Sequence, residues 1–152
     1  MTQKEFINHV LINEIGDVVD HHKWLSFILI CSGIEFLGGC IDHEINNLHA
    51  SNRSRKRFES AIRKLFPSQY EPFLDKSFDL YSQLRCGMSH VTIPGIKIAI
   101  SETSSGHKNL SEWGDRIIFI AEDLFIDFKR ACLKVIDMID QGQIKETFEI
   151  RF

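Results

Sequence analysis

The run WLSFILICSGIEFLGGCI, residues 24–41, is apolar on nearly every side of a helix, and no other feature limits the possible folds as strongly. A helix of this kind is either enclosed by protein on several faces or placed in lipid. Eighteen residues is borderline for a bilayer span. Glu35 sits mid-run, where a carboxylate in lipid costs roughly 2.5 kcal/mol or more, and Gly33 and the Gly38-Gly39 pair argue the same way. The polar flanks carry no clear topological bias. The run therefore reads as the central helix of a bundle, with no membrane partner.

The 152 residues are the size of one domain, residues 1–152, large enough to bury a core without metal or disulfide support. A hydrophobic content of 43% and a charged content of 26% belong to an ordinary globular chain. The net charge of −3 gives no global case for nucleic acid, so any anion binding must be local. Cys31, Cys40, Cys86 and Cys132 are widely spaced, without a C-x-x-C pair, and indicate neither a zinc site nor a disulfide framework. No metal and no cofactor is expected. The polar start MTQKEF lacks the order of a signal peptide, which points to the cytoplasm.

Apolar residues Ile7, Leu11, Ile15 and Val18 predict a first helix over 5–19, ending somewhere between 16 and 23. Ser68 and Glu71 match a capping box, with Pro72 in the first turn. From there a stripe through Leu74, Phe78, Tyr81 and Met88 predicts one long amphipathic helix reaching the motif described below. Alternation in IKIAIS (96–101) and the run RIIFI (116–120) predict a two-stranded antiparallel ribbon. A last helix is expected over about 121–140, its core face Leu124, Phe128, Cys132, Val135 and Ile139, stopped by Gly142. The tail TFEIRF (147–152) alternates like a strand that adds to the ribbon or pairs with a second subunit.

Between these elements lies a basic helix, expected over 54–66 and ended by Pro67. Arg53, Arg55, Lys56, Arg57, Arg63 and Lys64 face the single acid Glu59. Two readings are open: a solvated helix face, or an anion-binding surface.

On the stripe of the long helix, position 85 is Arg85. A guanidinium does not deprotonate, so a buried arginine requires a partner, and Glu35 on the apolar helix has the matching need. A bidentate Arg85–Glu35 pair satisfies both. It either fixes helix register or orients Arg85 towards a phosphate. His90 follows five residues later, about 140° away on an unbroken helix, and Gly87 and Pro94 suggest that the helix frays there and lets His90 turn back. An imidazole that exchanges a proton near neutrality, beside an arginine that holds phosphoryl charge, fits metal-free RNA cleavage by the 2′-hydroxyl. DHH (20–22) with Asp17 has no evident distant third ligand.

The segment LRCGMSH, Arg85 to His90 with four residues between, resembles the R-x4-6-H motif of the HEPN superfamily, small helical-bundle domains. The resemblance in helix order covers about residues 1–140. It implies a mainly α bundle of about five helices, and an endoribonuclease of toxin–antitoxin or phage-defence type. It also implies a homodimer in which Arg85 and His90 meet their twofold mates at one RNA-cleaving site; Glu35, on the reading of the buried charges, is then the partner that orients Arg85. An antitoxin or nucleotidyltransferase partner is a further implication. The residue after the arginine is commonly polar in catalytic members, and here it is Cys86. A non-catalytic module that binds a protein partner or nucleotide is therefore the alternative.

Overall fold

A computed structural model describes residues 1–43, 48 and 52–146. The strand expected over 147–152 lies outside the described residues. The fold is mainly helical, with a small three-stranded sheet following the fourth helix.

Helix α1 (3–21) opens on a reciprocal capping box. Thr2 Oγ1 accepts from the Glu5 N–H at 3.2 Å, and Glu5 Oε2 accepts from the Thr2 N–H at 2.8 Å. Its path runs through Gln3–Phe6, a wider π-helical stretch Ile7–Glu14, and Ile15–His21. The wider turns shift the inward stripe, so that Ile12 and Val19 are buried beside Ile7, Leu11 and Ile15, while Val18 is only half-buried. The chain breaks at His22 and restarts at once as α2, Lys23–Cys40.

Helix α2 packs against α1, against α3 (Ser54–Leu65) and against α5 (Ala121–Asp140). Phe27, Ile30, Ile34 and Leu37 are wholly buried at its centre. The helix is long and apolar enough to cross a membrane, and half of it is buried inside the protein. Helix α3 crosses at Gly38, where a Cβ would lie 2.0 Å from the Arg57 carbonyl oxygen. Only a residue without a Cβ permits that approach of two backbones.

The long helix expected from Ser68 to the motif does not form. Ser68–Leu74 is a 3-10 stretch, and Ser68 makes no capping bond, because the cap position falls on Pro67. Pro72 removes one of the N–H groups that an α-helical ladder would need there. The chain then bends at Asp79, whose φ is 57°, before α4 (81–91) begins. This helix combines a π-helical stretch, Tyr81–Cys86, with an α-helical turn, Gly87–Val91.

The sheet also differs from the expected ribbon. Strand β1 (Ile98–Ser101) runs parallel to β3 (Arg116–Ile120), pairing Ile98 with Ile117 and Ile100 with Phe119. The antiparallel partner of β3 is a third strand, β2 (Glu112–Trp113), joined to it by a two-residue turn at Gly114 and Asp115. That turn reverses the chain, so β1 reaches the other edge in the same direction as β3. Ile96, expected in the first strand, is 79% exposed and precedes it.

Helix α5 keeps its expected bounds and buries Leu124, Phe128, Cys132 and Val135, while Ile139 is half-buried. Gly142, at φ 68°, follows its end. A buried polar link ties α5 to the 3-10 stretch: Tyr70 OH donates to Asp127 Oδ2 at 2.9 Å, and Asn109 Nδ2 donates to Tyr70 OH at 3.3 Å. Burial, then Asp127, raises the Tyr70 pKa far above its ordinary value.

Candidate functional site around Arg85 and His90

Trp24 and Glu35 are eleven residues apart on α2, about three helical turns, and therefore share one face. That face holds α4 at both ends. Glu35 Oε2 accepts from Arg85 Nε at 2.9 Å and pairs with Nη2 at 2.7 Å. At the other end, Trp24 Nε1 donates to the Thr92 carbonyl oxygen at 2.8 Å. The two helices thus run antiparallel, with the Arg85-to-His90 segment between the two clamps.

The expected Arg85–Glu35 partnership is present, with one difference in form. Both nitrogens converge on a single carboxylate oxygen instead of making a two-oxygen fork. Of the five N–H groups of a guanidinium, the three others have no acceptor among the described residues. Both side chains are about a fifth exposed, at 20% and 22%, so the site is reachable from solvent. Partial burial works against the Arg85 cation, but Glu35 and Tyr81 outweigh it and hold its pKa above the ordinary value. Arg85 is a fixed cation.

Tyr81 lies between two guanidiniums, the Arg85 Cζ 5.6 Å and the Arg55 Cζ 4.6 Å from its ring centroid. Phe58 of α3 meets the same ring edge-on at 5.6 Å. Arg55 also forks onto Asp79, Nη1 to Oδ1 at 2.6 Å and Nη2 to Oδ2 at 3.2 Å. Asp79 in turn accepts from the Ser82 N–H at 3.2 Å and from its hydroxyl at 2.8 Å, tying the bend to the first turn of α4. The Arg55 hydrogen bonds hold the Asp79 carboxyl down at about 2. Tyr81, Asp79 and Arg55 therefore set where α4 starts, and so where Arg85 points.

The helix does not fray at Gly87, contrary to the sequence expectation. It continues to Val91, and the chain then reverses through Thr92, at φ 57°. Gly87 serves that reversal, since a Cβ there would lie 2.6 Å from the Ile93 carbonyl oxygen. His90 stays on the last helical turn, exposed, and makes no hydrogen bond with Arg85 or with any other described residue.

The basic stretch divides. Arg57 is 4% exposed and donates from Nε to Asp42 Oδ2 at 3.0 Å and from Nη1 to the Leu48 carbonyl oxygen at 2.9 Å. Arg53 forks onto the same carboxylate, with Nη2 2.8 Å from Oδ1. These two are inward cations and correct the reading of all six as one surface: the stretch opens beside Asp42, a buried acid that draws them in. Arg55, Lys56, Arg63 and Lys64 are exposed. Among the described residues, no three His, Cys, Asp or Glu side chains cluster as metal ligands would. His21 Nδ1 instead meets the Asp17 carbonyl oxygen at 2.8 Å.

Trp24, Asp42 and Asp79 were not singled out from the sequence, and Tyr81 stood there only as one residue of an apolar stripe. Trp24 had a signal, its place on the Glu35 face of α2; Asp42 had another, as an acid between an apolar helix and a basic one. The chain matches no family model, no curated protein and no solved structure.

Proposed function

We propose that the protein is a cytoplasmic, HEPN-like, metal-independent endoribonuclease of toxin or phage-defence type, working as a homodimer. The observation that carries this reading is the state of Arg85. Glu35 fixes it, three of its N–H groups meet no acceptor among the described residues, and His90 stands exposed on the same short helix. A phosphate diester has the acceptors those N–H groups lack.

In the proposed reaction the 2′-oxygen forms a bond to its own phosphorus and the bond to the 5′-oxygen breaks. One His90 imidazole takes the 2′-hydroxyl proton. The His90 imidazolium of the twofold mate gives a proton to the departing 5′-oxygen, leaving a 2′,3′-cyclic phosphate and a 5′-hydroxyl. Arg85 holds the charge on the non-bridging oxygens. Two chains are needed because a single α4 does not bring Arg85 and His90 into contact. Arg55, Lys56, Arg63 and Lys64 extend the path of the RNA backbone, and an antitoxin or nucleotidyltransferase is the partner that would restrain the activity. Induced expression tests the reading: growth arrest with fragmented total RNA is expected, abolished by Arg85→Ala and by His90→Ala at matched protein levels. Healthy cells with intact RNA would count against it.

A second reading, a non-catalytic module binding a protein or nucleotide, draws on Cys86 beside Arg85 and on the neutralisation of Arg85 by Glu35. It predicts intact RNA with assembly retained.

A further inference from the structure

We propose that Trp24 seats the nucleobase next to the scissile phosphate, so that the protein acts where that base is unpaired. The inference rests on the ribonuclease reading above. Trp24 is 48% exposed, at the first turn of α2, so the core does not account for its size. Its indole N–H is already spent on the Thr92 carbonyl oxygen at 2.8 Å. The ring is thereby held in place and has no donor left for reading a base edge; what it offers is a face. Stacking on such a face tolerates any base but requires that the base leave its helical stack.

Position supports the same assignment. Thr92 lies two residues beyond His90, at the close of α4. Two helical residues rise about 3 Å, comparable to the spacing of roughly 3.4 Å between stacked nucleotides on one strand. A base on Trp24 and a phosphate at His90 are therefore within the reach of one nucleotide, while Arg85, seven residues before Thr92, stands about 10 Å from it along α4. Thr92 is a β-branched residue at φ 57°, a conformation such residues rarely adopt, and the Trp24 bond is part of what holds it there. Val91 and Ile93, 62% and 60% exposed, give the seat an apolar rim. A second copy of the chain could cover the same rim, but the Arg85 cation further along the same helix, with N–H groups that meet no acceptor among the described residues, favours a phosphate-bearing ligand.

The other tryptophan, Trp113, stands on the β2–β3 hairpin and can be removed to isolate the signal. The test uses the full chain carrying His90→Ala and Trp113→Phe, titrated with an oligoadenylate RNA, single-stranded or annealed to oligouridylate. Trp24 emission is expected to be quenched by the single strand and not by the duplex. Adding Trp24→Leu is expected to weaken single-strand binding, read by anisotropy of labelled RNA, by roughly 5- to 150-fold, while Trp24→Phe keeps most of it.

Equal binding and, with His90 restored, equal cleavage in Trp24→Leu would overturn the seat and leave the ribonuclease reading standing. Quenching by the duplex would also overturn it, as would loss of binding in proportion to loss of dimer on sedimentation. Trp24→Phe failing as badly as Trp24→Leu would show that an aromatic face is not what matters. If the single strand quenches Trp24 and yet no form of the protein cuts RNA, the seat stands and the cleavage reading falls. If neither form of RNA binds, both fall.

Discussion

Arg85 and Glu35 are each tolerable in a mostly enclosed place because the other is there. Removing one leaves a partly desolvated charge, so a double-mutant cycle with Glu35→Ala and Arg85→Ala, read by urea denaturation, is expected to give a coupling of about 1–2 kcal/mol, below the range for fully buried pairs. A coupling near zero would mean that solvent already screens the pair. Arg85→Lys keeps the charge but not the planar fork, and should lower RNA cleavage about 100-fold or more. The buried counterpart is Asp42, which two guanidiniums share. Asp42→Ala removes the carboxylate that faces Arg57, 4% exposed, and Arg53, and is expected to cost about 3–5 kcal/mol in the same denaturation measurement, against about 0.5 kcal/mol or less for Lys64→Ala on the surface. Similar losses for the two would refute the division of the basic stretch into inward and outward cations.

At the scale of elements, two backbones meet at Gly38, and Gly38→Ala must push α3 away from α2. A loss of about 3 kcal/mol is expected, visible as a lower urea midpoint; an unchanged midpoint would contradict the close crossing. The start of α4 depends on Asp79, whose carboxyl pKa falls from 3.8 to about 2 on folding. A lowered folded value stabilises the protein above the unfolded pKa. That contribution is complete above about pH 5 and is lost as pH falls through 3.8 towards 2. Asp79→Asn should therefore flatten the acid limb of the stability curve in that window, whereas an unaltered limb would remove the Arg55 pair as its cause. Helices α3 and α5 were legible because long periodic runs end at plain stops, such as Pro67 and Gly142, and α2 because its run is apolar on nearly every side. The 68–90 region was not: Leu74 and Tyr81 report burial, and a stripe of buried residues persists across a 3-10 stretch and a turn. The hairpin at Gly114-Asp115 was not read from the sequence, and the pairing of β1 depends on distant contacts.

Across the whole molecule, the candidate site occupies the seam where α4 is held against α2 by Glu35 and Trp24 and against α3 by Arg55. The Arg85–Glu35 link was readable in advance because two charges on otherwise apolar stripes each need a partner. The clamp at Trp24 and the ring of Tyr81 were not, since sequence spacing does not say which helix a half-exposed aromatic will meet. The same seam places Arg85 and His90 on one short helix without joining them, so RNA cleavage as proposed requires two such seams together. The most direct test incubates purified protein with RNA in excess chelator and identifies the new ends. The expected ends are 2′,3′-cyclic phosphate and 5′-hydroxyl, produced by wild type and absent with His90→Ala and Arg85→Ala. Intact RNA, or cleavage that persists in both variants, would contradict the ribonuclease reading.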